Sequence, residues 1–234
     1  MITERQTKIL NGIVEEYIKS AEPVSSQALG KKRRFEISPA MLRIEMQKLA
    51  EMGYLAQPHT SAGRIPTDKG YRFFVDGLFE KNLNSLEDMF GFEGLFREQI
   101  GDAIKFNARL TKLIAHASSN FTFLHLLNDH FSWKEGWEEI IKEPEFEQRD
   151  FAPEFADFLE DFEKEIESFE LSPGMKIYIG GENPFSKTKD FSIISSRCLL
   201  PNDGEALLAI LGPKRMDYEK NINLVNYLIG ALVR

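Results

Sequence analysis

The 234-residue chain contains one cysteine, Cys198, so no disulfide can form within it. A lone cysteine in an apolar, strand-like pattern is typical of a packed thiol in a reducing compartment, and a reactive thiol is the alternative. No apolar run reaches the length of a membrane-spanning helix, and the first residues, MITERQTK, lack the apolar core of a signal peptide. We therefore expect a cytoplasmic protein without a membrane partner.

Residue patterns that carry catalysis or bind metals are also missing. The four histidines, His59, His116, His125 and His130, have no ligand-pair spacing on a helix. The chain has no nucleophile elbow and no catalytic cysteine signature. Gly180-Gly181 is the nearest approach to a phosphate-binding loop, but no lysine follows it at the P-loop spacing. We expect no enzyme, no metal and no other cofactor.

The formal net charge of −8 by itself argues against a nucleic-acid partner, but the charge is unevenly distributed along the chain. Residues 1–77 carry 12 basic and 9 acidic side chains, whereas the remainder carries 17 and 28. The basic cluster Lys31-Lys32-Arg33-Arg34 could neutralise DNA phosphates, and a solvated loop is the alternative. A domain this weakly positive should bind one site loosely, which favours a dimer on two symmetric half-sites.

Two helices are predicted before this cluster ends. Between Arg5 and Ser20 the apolar residues recur on one wide helical face. The turn AEPVSS follows, and either Ser25 or Ser26 can cap a second, short helix that reaches Lys32.

A third helix follows the basic cluster. Ser38 is a preferred N-cap, Pro39 suits the first helical position, and Gly53 supplies the left-handed residue that ends the helix. The stripe predicted to be buried is Leu42, Met46 and Leu49. The faces turned away from that stripe carry Ala40, Arg43, Ile44, Gln47, Lys48 and Glu51. Such a helix fits a DNA major groove, and an ordinary amphipathic surface helix is the alternative.

A short strand and a polar loop complete a winged helix-turn-helix. Residues 54–57 read as a strand, and residues 58–66 form the expected wing. The wing side chains expected to contact DNA are His59, Thr60, Ser61 and Arg64, because hydroxyls, backbone N–H groups and arginine suit phosphates and the minor groove.

The string QPHTSAGRIPTDKGYR at residues 57–72 is long, odd in composition and more specific than a generic winged helix requires. With ILNGIVEEYIKSAEPVSSQAL and SPAMLRIEM it resembles the DNA-binding domain of the HrcA family, bacterial repressors of heat-shock chaperone operons. IGGENPF, WKEGWEEIIKEPEF and LLAILGPKRMDYEKNINLVNYLIGAL resemble segments of that family's GAF-like C-terminal domain. The resemblance implies a repressor that heat disables and that a GroEL-type chaperonin restores.

Two departures from the family's pattern bear on function. The family usually has polar residues where this chain has Met41 and Ile44, so two candidate base-reading side chains are apolar. Ile44 can contact a thymine methyl group but cannot form a bidentate hydrogen bond. Between Leu127 and Trp133 the family carries further strands and an inserted dimerisation subdomain, and only a few residues remain here.

The expected fold class is α+β, with an N-terminal winged helix-turn-helix followed by a reduced GAF-like α+β domain. The boundaries drawn are residues 1–77 for the winged helix, 78–93 for a linker and 94–234 for the GAF-like domain. The chain beyond the wing should leave the winged domain as a helix through Tyr71. A long helical stretch from Gly94 to Leu127, interrupted near Ser118, ends in an apolar patch that is either core or partner surface.

Residues 135–170 hold 15 acidic and 3 basic side chains. An apolar stripe recurs through them at helical spacing: Phe151, Phe155, Phe158, Phe162, Ile166 and Phe169. The helix is either a domain element with a solvated acidic face or, through this stripe or the preceding patch, a dimer interface that replaces the missing insert. Strands are predicted at residues 176–179, 191–199 and 206–211, and Asp217 is expected to cap a final helix that covers the sheet.

The sequence therefore predicts a sequence-specific DNA-binding repressor of heat-shock genes that binds an inverted-repeat operator as a homodimer. The candidate DNA-binding residues are Lys31, Lys32, Arg33, Arg34, Ser38, Met41, Arg43, Ile44, Gln47, Lys48, His59, Thr60, Ser61 and Arg64. The alternative function is a protein-binding adaptor that kept the winged helix and lost operator recognition.

Overall fold

The computed structural model divides the chain into two compact units, Met1–Asn82 and Leu83–Arg234. It describes residues 2–33, 35, 37–80, 92–97, 102–129, 131–166, 174–184, 189–201 and 204–232. Most of the linker predicted at 78–93 lies outside the described residues, as do Arg34, His130 and Phe169.

The N-terminal unit contains four helices and a two-stranded antiparallel sheet. In chain order these are α1 (Glu4–Ser20), α2 (Ser26–Lys32), α3 (Pro39–Glu51), β1 (Leu55–Ala56), β2 (Ile65–Pro66) and α4 (Asp68–Glu80). Leu55 pairs with Pro66 and Ala56 with Ile65, so residues 57–64 form the loop between the strands. This order of elements is a winged helix-turn-helix.

Local signals fix the ends of these helices. Ser25 and Ser38 cap α2 and α3, since each side chain accepts a hydrogen bond from a backbone N–H in the first turn. Gly53 adopts the left-handed conformation (φ 79°) just beyond α3. The predicted stripe of Leu42, Met46 and Leu49 is buried, with Leu42 and Leu49 fully inaccessible. The core of this unit is therefore the one that helical periodicity indicated.

The expectation that the helix after the wing leaves the winged domain is wrong, as α4 shows. It packs against α1, and its residues Tyr71, Phe74 and Val75 are buried. The helix therefore completes the core of the winged unit and does not leave it, because its apolar face would otherwise be exposed to water.

The C-terminal unit is a five-stranded antiparallel sheet with helices on both faces. Its elements are α5 (Phe92–Arg97), α6 (Ala103–Ser118), β3 (Phe121–Leu126), β4 (Ser132–Glu135), α7 (Trp137–Ile140), α8 (Phe151–Glu165), β5 (Lys176–Ile179), β6 (Phe191–Leu200), β7 (Gly204–Pro213) and α9 (Tyr218–Leu232). The strand order is β4-β3-β7-β6-β5. This mixed helix-and-sheet unit is GAF-like, as expected.

The phenylalanine stripe of α8 forms the core against one face of the sheet. Phe158 stacks on Phe191 with ring centroids 4.9 Å apart, and Phe162 meets Phe123 edge to face at 5.5 Å. Phe155, Phe158 and Phe162 are at most 1% exposed. The stripe is therefore not a dimer interface, and the acidic residues of α8 are its solvated face.

The opposite face of the sheet is covered by α6 and α9. The hydroxyl groups of Ser192 and Tyr218 lie 2.8 Å apart there, which joins β6 to α9. The side chain of Asp217 accepts a hydrogen bond from the N–H of Lys220 at 3.0 Å, so Asp217 caps α9 as predicted.

The predicted helical stretch ending at Leu127 is wrong beyond Ser118. Helix α6 ends at Ser118, and Phe121–Leu126 is strand β3, whose six residues are all buried. A strand covered on both faces is a continuous apolar run, and periodicity cannot distinguish such a run from a buried helix. The apolar patch is therefore core. Strand β4 follows directly and was not predicted.

Cys198 is buried in β6, and burial raises the pKa of its thiol to about 12. The thiol stays protonated at neutral pH, which confirms the packed interpretation over the reactive one. Among the helices that the structure describes, none combines the length and apolar character needed to cross a bilayer.

We predict that Phe158→Ala lowers the free energy of unfolding of the C-terminal unit by about 3–5 kcal/mol, because it removes a fully buried ring. Phe131→Ala is the matched control, since Phe131 is 52% exposed and should cost less than about 1 kcal/mol. Both tryptophans, Trp133 and Trp137, lie in this unit, so urea unfolding followed by tryptophan fluorescence reports on it. Equal shifts of the two midpoints would contradict the packing described.

Candidate nucleic-acid interface

An open groove of about 980 Å³ runs across the winged unit between α2, α3 and the loop joining β1 to β2. We call it the reading groove. Its lining residues are Ser25, Ser26, Gln27, Ala40, Arg43, Ile44, Met46, Gln47, Lys48, Glu51, Gln57, Thr60, Ser61, Ala62, Gly63 and Arg64. The predicted groove contacts on α3 and three of the four predicted wing contacts are thus brought together, while Met41 and His59 are exposed close by.

The solvent-facing side of α3 is mixed in character. Arg43 is exposed and makes no side-chain hydrogen bond to any residue that the structure describes. Met41 and Ile44 are 40% and 48% exposed, although both are large apolar side chains. A surface with one unengaged arginine beside exposed apolar groups can contact both a base edge and a methyl group.

Helix α3 is fixed to α1 by a buried carboxylate. Glu45 accepts hydrogen bonds from the Gln6 side chain at 2.8 Å and from the Lys48 ammonium at 3.0 Å. The Lys48 contact, helped by Gln6, holds the pKa of Glu45 below its ordinary value. Lys48 therefore has a protein partner already, although its side chain is half exposed.

The tip of the wing is held by a glutamine. The side-chain amide of Gln57 donates to the carbonyl oxygens of Thr60 and Ala62, at 2.9 and 3.1 Å. His59, Thr60 and Ser61 remain exposed at the tip. A loop ordered in this way presents its hydroxyl groups and N–H groups without a large entropy cost on binding.

The base of the wing is pinned to the turn before α2. Val24 and Arg64 exchange two backbone hydrogen bonds of 2.9 Å. A Cβ atom at Gly63 would lie 2.4 Å from the carbonyl carbon of Val24, so only glycine permits this approach. The Arg64 guanidinium then reaches across the reading groove and donates to the side-chain oxygen of Gln47 at 2.7 Å.

The second half of the distinctive string, TDKGYR, fastens α4 to the end of α3. The Thr67 hydroxyl donates to the carbonyl of Gly53 at 2.7 Å and accepts from the N–H of Gly70 at 3.1 Å. The Lys69 ammonium donates to the carbonyl of Met52 at 2.8 Å and lies 4.4 Å from the ring centroid of Tyr54. These residues stabilise the C-terminal end of α3 and do not line the reading groove.

The predicted basic cluster is partly engaged by α1. Lys32 forms an ion pair with Glu16, and Arg33 forms one with Glu15. Lys31 is exposed and forms no ion pair with the residues that the structure describes. The side-chain oxygen of Ser38 is likewise used, because it caps α3 by accepting from the N–H of Met41 at 3.3 Å.

Sequence reasoning missed the contribution of α2 and of the polar wing scaffold. Ser25, Ser26 and Gln27 line the reading groove from the start of α2, and Gln57 lines it from the wing. The N-cap signal at Ser25 located that end of α2, but the distance of the first turn from α3 depends on tertiary packing. No group of acidic, histidine or cysteine side chains within the described ranges could hold a metal ion.

Comparison with known proteins finds relatives that match the chain across both units. A family model described as the HrcA protein C-terminal domain matches residues 73–222. The heat-inducible transcription repressor HrcA of Brevibacillus brevis is 28% identical over 333 aligned positions, which cover 100% of this chain and 98% of the relative. The HrcA repressor of Carboxydothermus hydrogenoformans is 58% identical over 88 residues, or 38% of this chain and 26% of the relative.

A solved structure of a hypothetical protein shares the fold. It superimposes with a TM-score of 0.84 at 21% sequence identity, covering 99% of this chain and 98% of the other. The alignment with the Brevibacillus repressor also shows where the two chains differ in size. Since 333 positions hold only 234 residues of this chain, about 100 positions of the relative have no counterpart here.

We predict that Gly70→Ala destabilises the winged unit by about 1–3 kcal/mol, because the added Cβ would lie 2.3 Å from the carbonyl oxygen of Tyr54. Gly77→Ala, on the same helix, is the control. Apart from Gly77, its chain neighbours and the nearby backbone of the same helix, no described atom lies within 4 Å of its Cβ position. Alanine should therefore be neutral or stabilising by up to about 1 kcal/mol. Far-UV circular dichroism in urea measures the change, while tryptophan fluorescence should stay unchanged. A Gly70 variant as stable as the Gly77 variant would contradict the close approach.

Proposed function

The chain belongs to the HrcA family of transcription repressors, and on that premise we propose that it represses chaperone genes by binding an inverted-repeat operator as a homodimer. The single observation that supports this most is the reading groove, which brings Arg43, Ile44 and Gln47 of α3 beside the wing. A helix exposed along one side, next to an ordered loop, is the arrangement by which winged helix-turn-helix proteins enter a major groove. We propose that it acts in the cytoplasm, where a bacterial repressor has access to its operator.

Each residue type in the reading groove suits a different part of DNA. Arg43 is proposed to contact guanine or a phosphate, Gln47 a base edge, and Ile44 a thymine methyl group. Lys31, Ser38 and the wing residues His59, Thr60 and Ser61 are proposed to contact the phosphate backbone. Lys32 and Arg33 already have their charges partly neutralised by glutamate partners on α1, so they are proposed to contribute less to phosphate binding.

The proposed homodimer follows from the weak charge of one winged unit. The 12 basic and 9 acidic side chains of residues 1–77 leave only three net positive charges, and Lys32 and Arg33 are held in ion pairs with α1. Both features favour only loose binding of a single half-site. Two winged units joined in one molecule bind with a much higher effective affinity, and their two-fold symmetry matches an inverted repeat.

Heat sensitivity is proposed to arise in the C-terminal unit. If that unit holds two winged units together and is marginally stable, its unfolding separates them and releases the operator. A GroEL-type chaperonin would then act by refolding it. This part of the proposal follows from family membership and from the division into two units.

A protein-binding adaptor is the second candidate. The exposed side chains of Met41 and Ile44 favour it, because large apolar groups on a reading helix also suit a protein partner. The two functions predict different behaviour toward DNA. The DNA affinity of an operator binder falls steeply with salt and depends on the DNA sequence. An adaptor would show neither the steep salt dependence nor the sequence dependence.

The test is selection of duplexes from a random pool by the full chain, with affinity measured at several salt concentrations. We predict one enriched inverted repeat. Arg43→Ala should lower affinity for it by about 1–3 kcal/mol and reduce the ratio of specific to random binding, because a base contact is lost. An unenriched pool with salt-independent binding would refute the repressor, and an unchanged ratio for Arg43→Ala would refute the role of Arg43.

The methyl contact of Ile44 has a chemical test that leaves the protein intact. Replacing one thymine of the selected half-site by uracil removes a single methyl group, and we predict a loss of about 1 kcal/mol at the position that Ile44 contacts. The same replacement should cost nothing further in Ile44→Ala, since the side chain that contacts the methyl is gone. Equal losses in both proteins at every thymine would contradict the assignment.

A further inference from the structure

A chain of hydrogen bonds crosses the reading groove, with the positively charged Arg64 at one end and the negatively charged Glu51 at the other. The Arg64 guanidinium donates to Oε1 of Gln47 at 2.7 Å, and Nε2 of Gln47 donates to Oε1 of Glu51 at 3.2 Å. Arg64 belongs to the wing, whereas Gln47 and Glu51 lie one helical turn apart on α3. The side-chain amide of Gln47 is thus held between a cation and an anion.

The charges at both ends fix which way the amide points. With Oε1 toward Arg64 and Nε2 toward Glu51, both contacts are favourable. Rotation of the amide by half a turn would place its NH₂ group against the guanidinium and its oxygen against the carboxylate, and both contacts would become repulsive. An isolated exposed glutamine has no such preference, so the orientation depends on these neighbours.

Arg64 is held firmly enough to serve this purpose. Its backbone exchanges two hydrogen bonds with Val24, and Gly63 beside it packs against the Val24 carbonyl group. Its Nε atom is buried and has no hydrogen-bond partner among the described residues. Its terminal nitrogen donates to the side chain of Gln47. An arginine anchored in this way keeps its guanidinium beside Gln47, whereas a flexible side chain would be free to reach a phosphate.

A fixed amide distinguishes adenine from guanine. Adenine offers the N6 amino group and N7 at its major-groove edge, which match an amide presenting oxygen on one side and NH₂ on the other. Guanine offers O6 and N7, two acceptors, so the fixed oxygen of Gln47 would oppose O6. A freely rotating glutamine avoids this conflict by turning its NH₂ group toward both acceptors.

We propose that Arg64 is a positioning residue that, with Glu51, locks the Gln47 amide so that the reading groove accepts adenine and rejects guanine at one base pair of each half-site. This inference rests on the proposed operator binding. It changes the role expected for Arg64 from a direct DNA contact to the orientation of another side chain.

The experiment measures base preference at one position of the selected operator. The position is identified as the one whose preference disappears in Gln47→Ala. There the full-length protein should prefer A·T to G·C by about 10-fold, a value typical of a bidentate contact. Arg64→Met, which keeps the length of the side chain and removes its charge, should reduce that preference to about 2-fold or less. It should add nothing in the Gln47→Ala background, and Arg64→Lys should restore most of the preference because it returns a charged donor.

Two controls separate positioning from other roles. Arg72→Met removes an arginine of α4 that pairs with Asp76 and does not line the reading groove, so it should leave the preference at this position intact. Circular dichroism checks that each variant is folded. If Arg64→Met instead weakens binding to every sequence equally and lowers the slope of log affinity against log salt by about 1, Arg64 contacts a phosphate and the inference fails. Failure of the wild-type protein to select any operator would refute the proposed function itself, a result distinguishable from either outcome.

Discussion

The pairing of Val24 with Arg64 is the constraint on which the reading groove depends. Two backbone hydrogen bonds, made possible by the missing side chain of Gly63, hold the base of the wing against the turn that precedes α2. Helix α3 is fixed separately to α1 through Glu45 and Gln6. The wing and α3 therefore form the two sides of the reading groove at a set distance. A surface prepared in this way loses little conformational entropy on binding, which favours recognition of a rigid partner such as duplex DNA.

The distinctive string at residues 57–72 divides into scaffold and contact surface. Gln57, Gly63, Thr67 and Lys69 are occupied with loop closure, close packing and the end of α3, whereas only the tip of the wing is left for a partner. Four residues of the string thus serve the fold of the winged unit, through backbone contacts that depend on their residue types. The side chains proposed to choose an operator are on α3, outside that string, and there this chain carries Met41 and Ile44.

Local signals were enough to predict much of the winged unit, including the cap at Ser38 and the buried stripe of α3, and they limited the cap of α2 to Ser25 or Ser26. They failed where burial removed the pattern, as at Phe121–Leu126, a strand covered on both faces. The contact between Arg64 and Gln47 was also beyond the sequence, because it joins residues 17 positions apart through the fold of the wing. In the C-terminal unit, helical spacing found the α8 stripe, but only the sheet shows that Phe191 and Phe123 bury it.

The central claim is that the reading groove is the surface that binds DNA. Hydroxyl-radical footprinting of the protein, analysed by mass spectrometry with and without the selected duplex, tests it directly because exposed methionine and aromatic side chains react readily. Met41 is 40% exposed beside the groove, while Phe131 and Trp137, at 52% and 44%, belong to the C-terminal unit. If the reading groove binds DNA, bound duplex suppresses oxidation of Met41 and leaves that of Phe131 and Trp137 unchanged. Undiminished oxidation of Met41 in the saturated complex would contradict it.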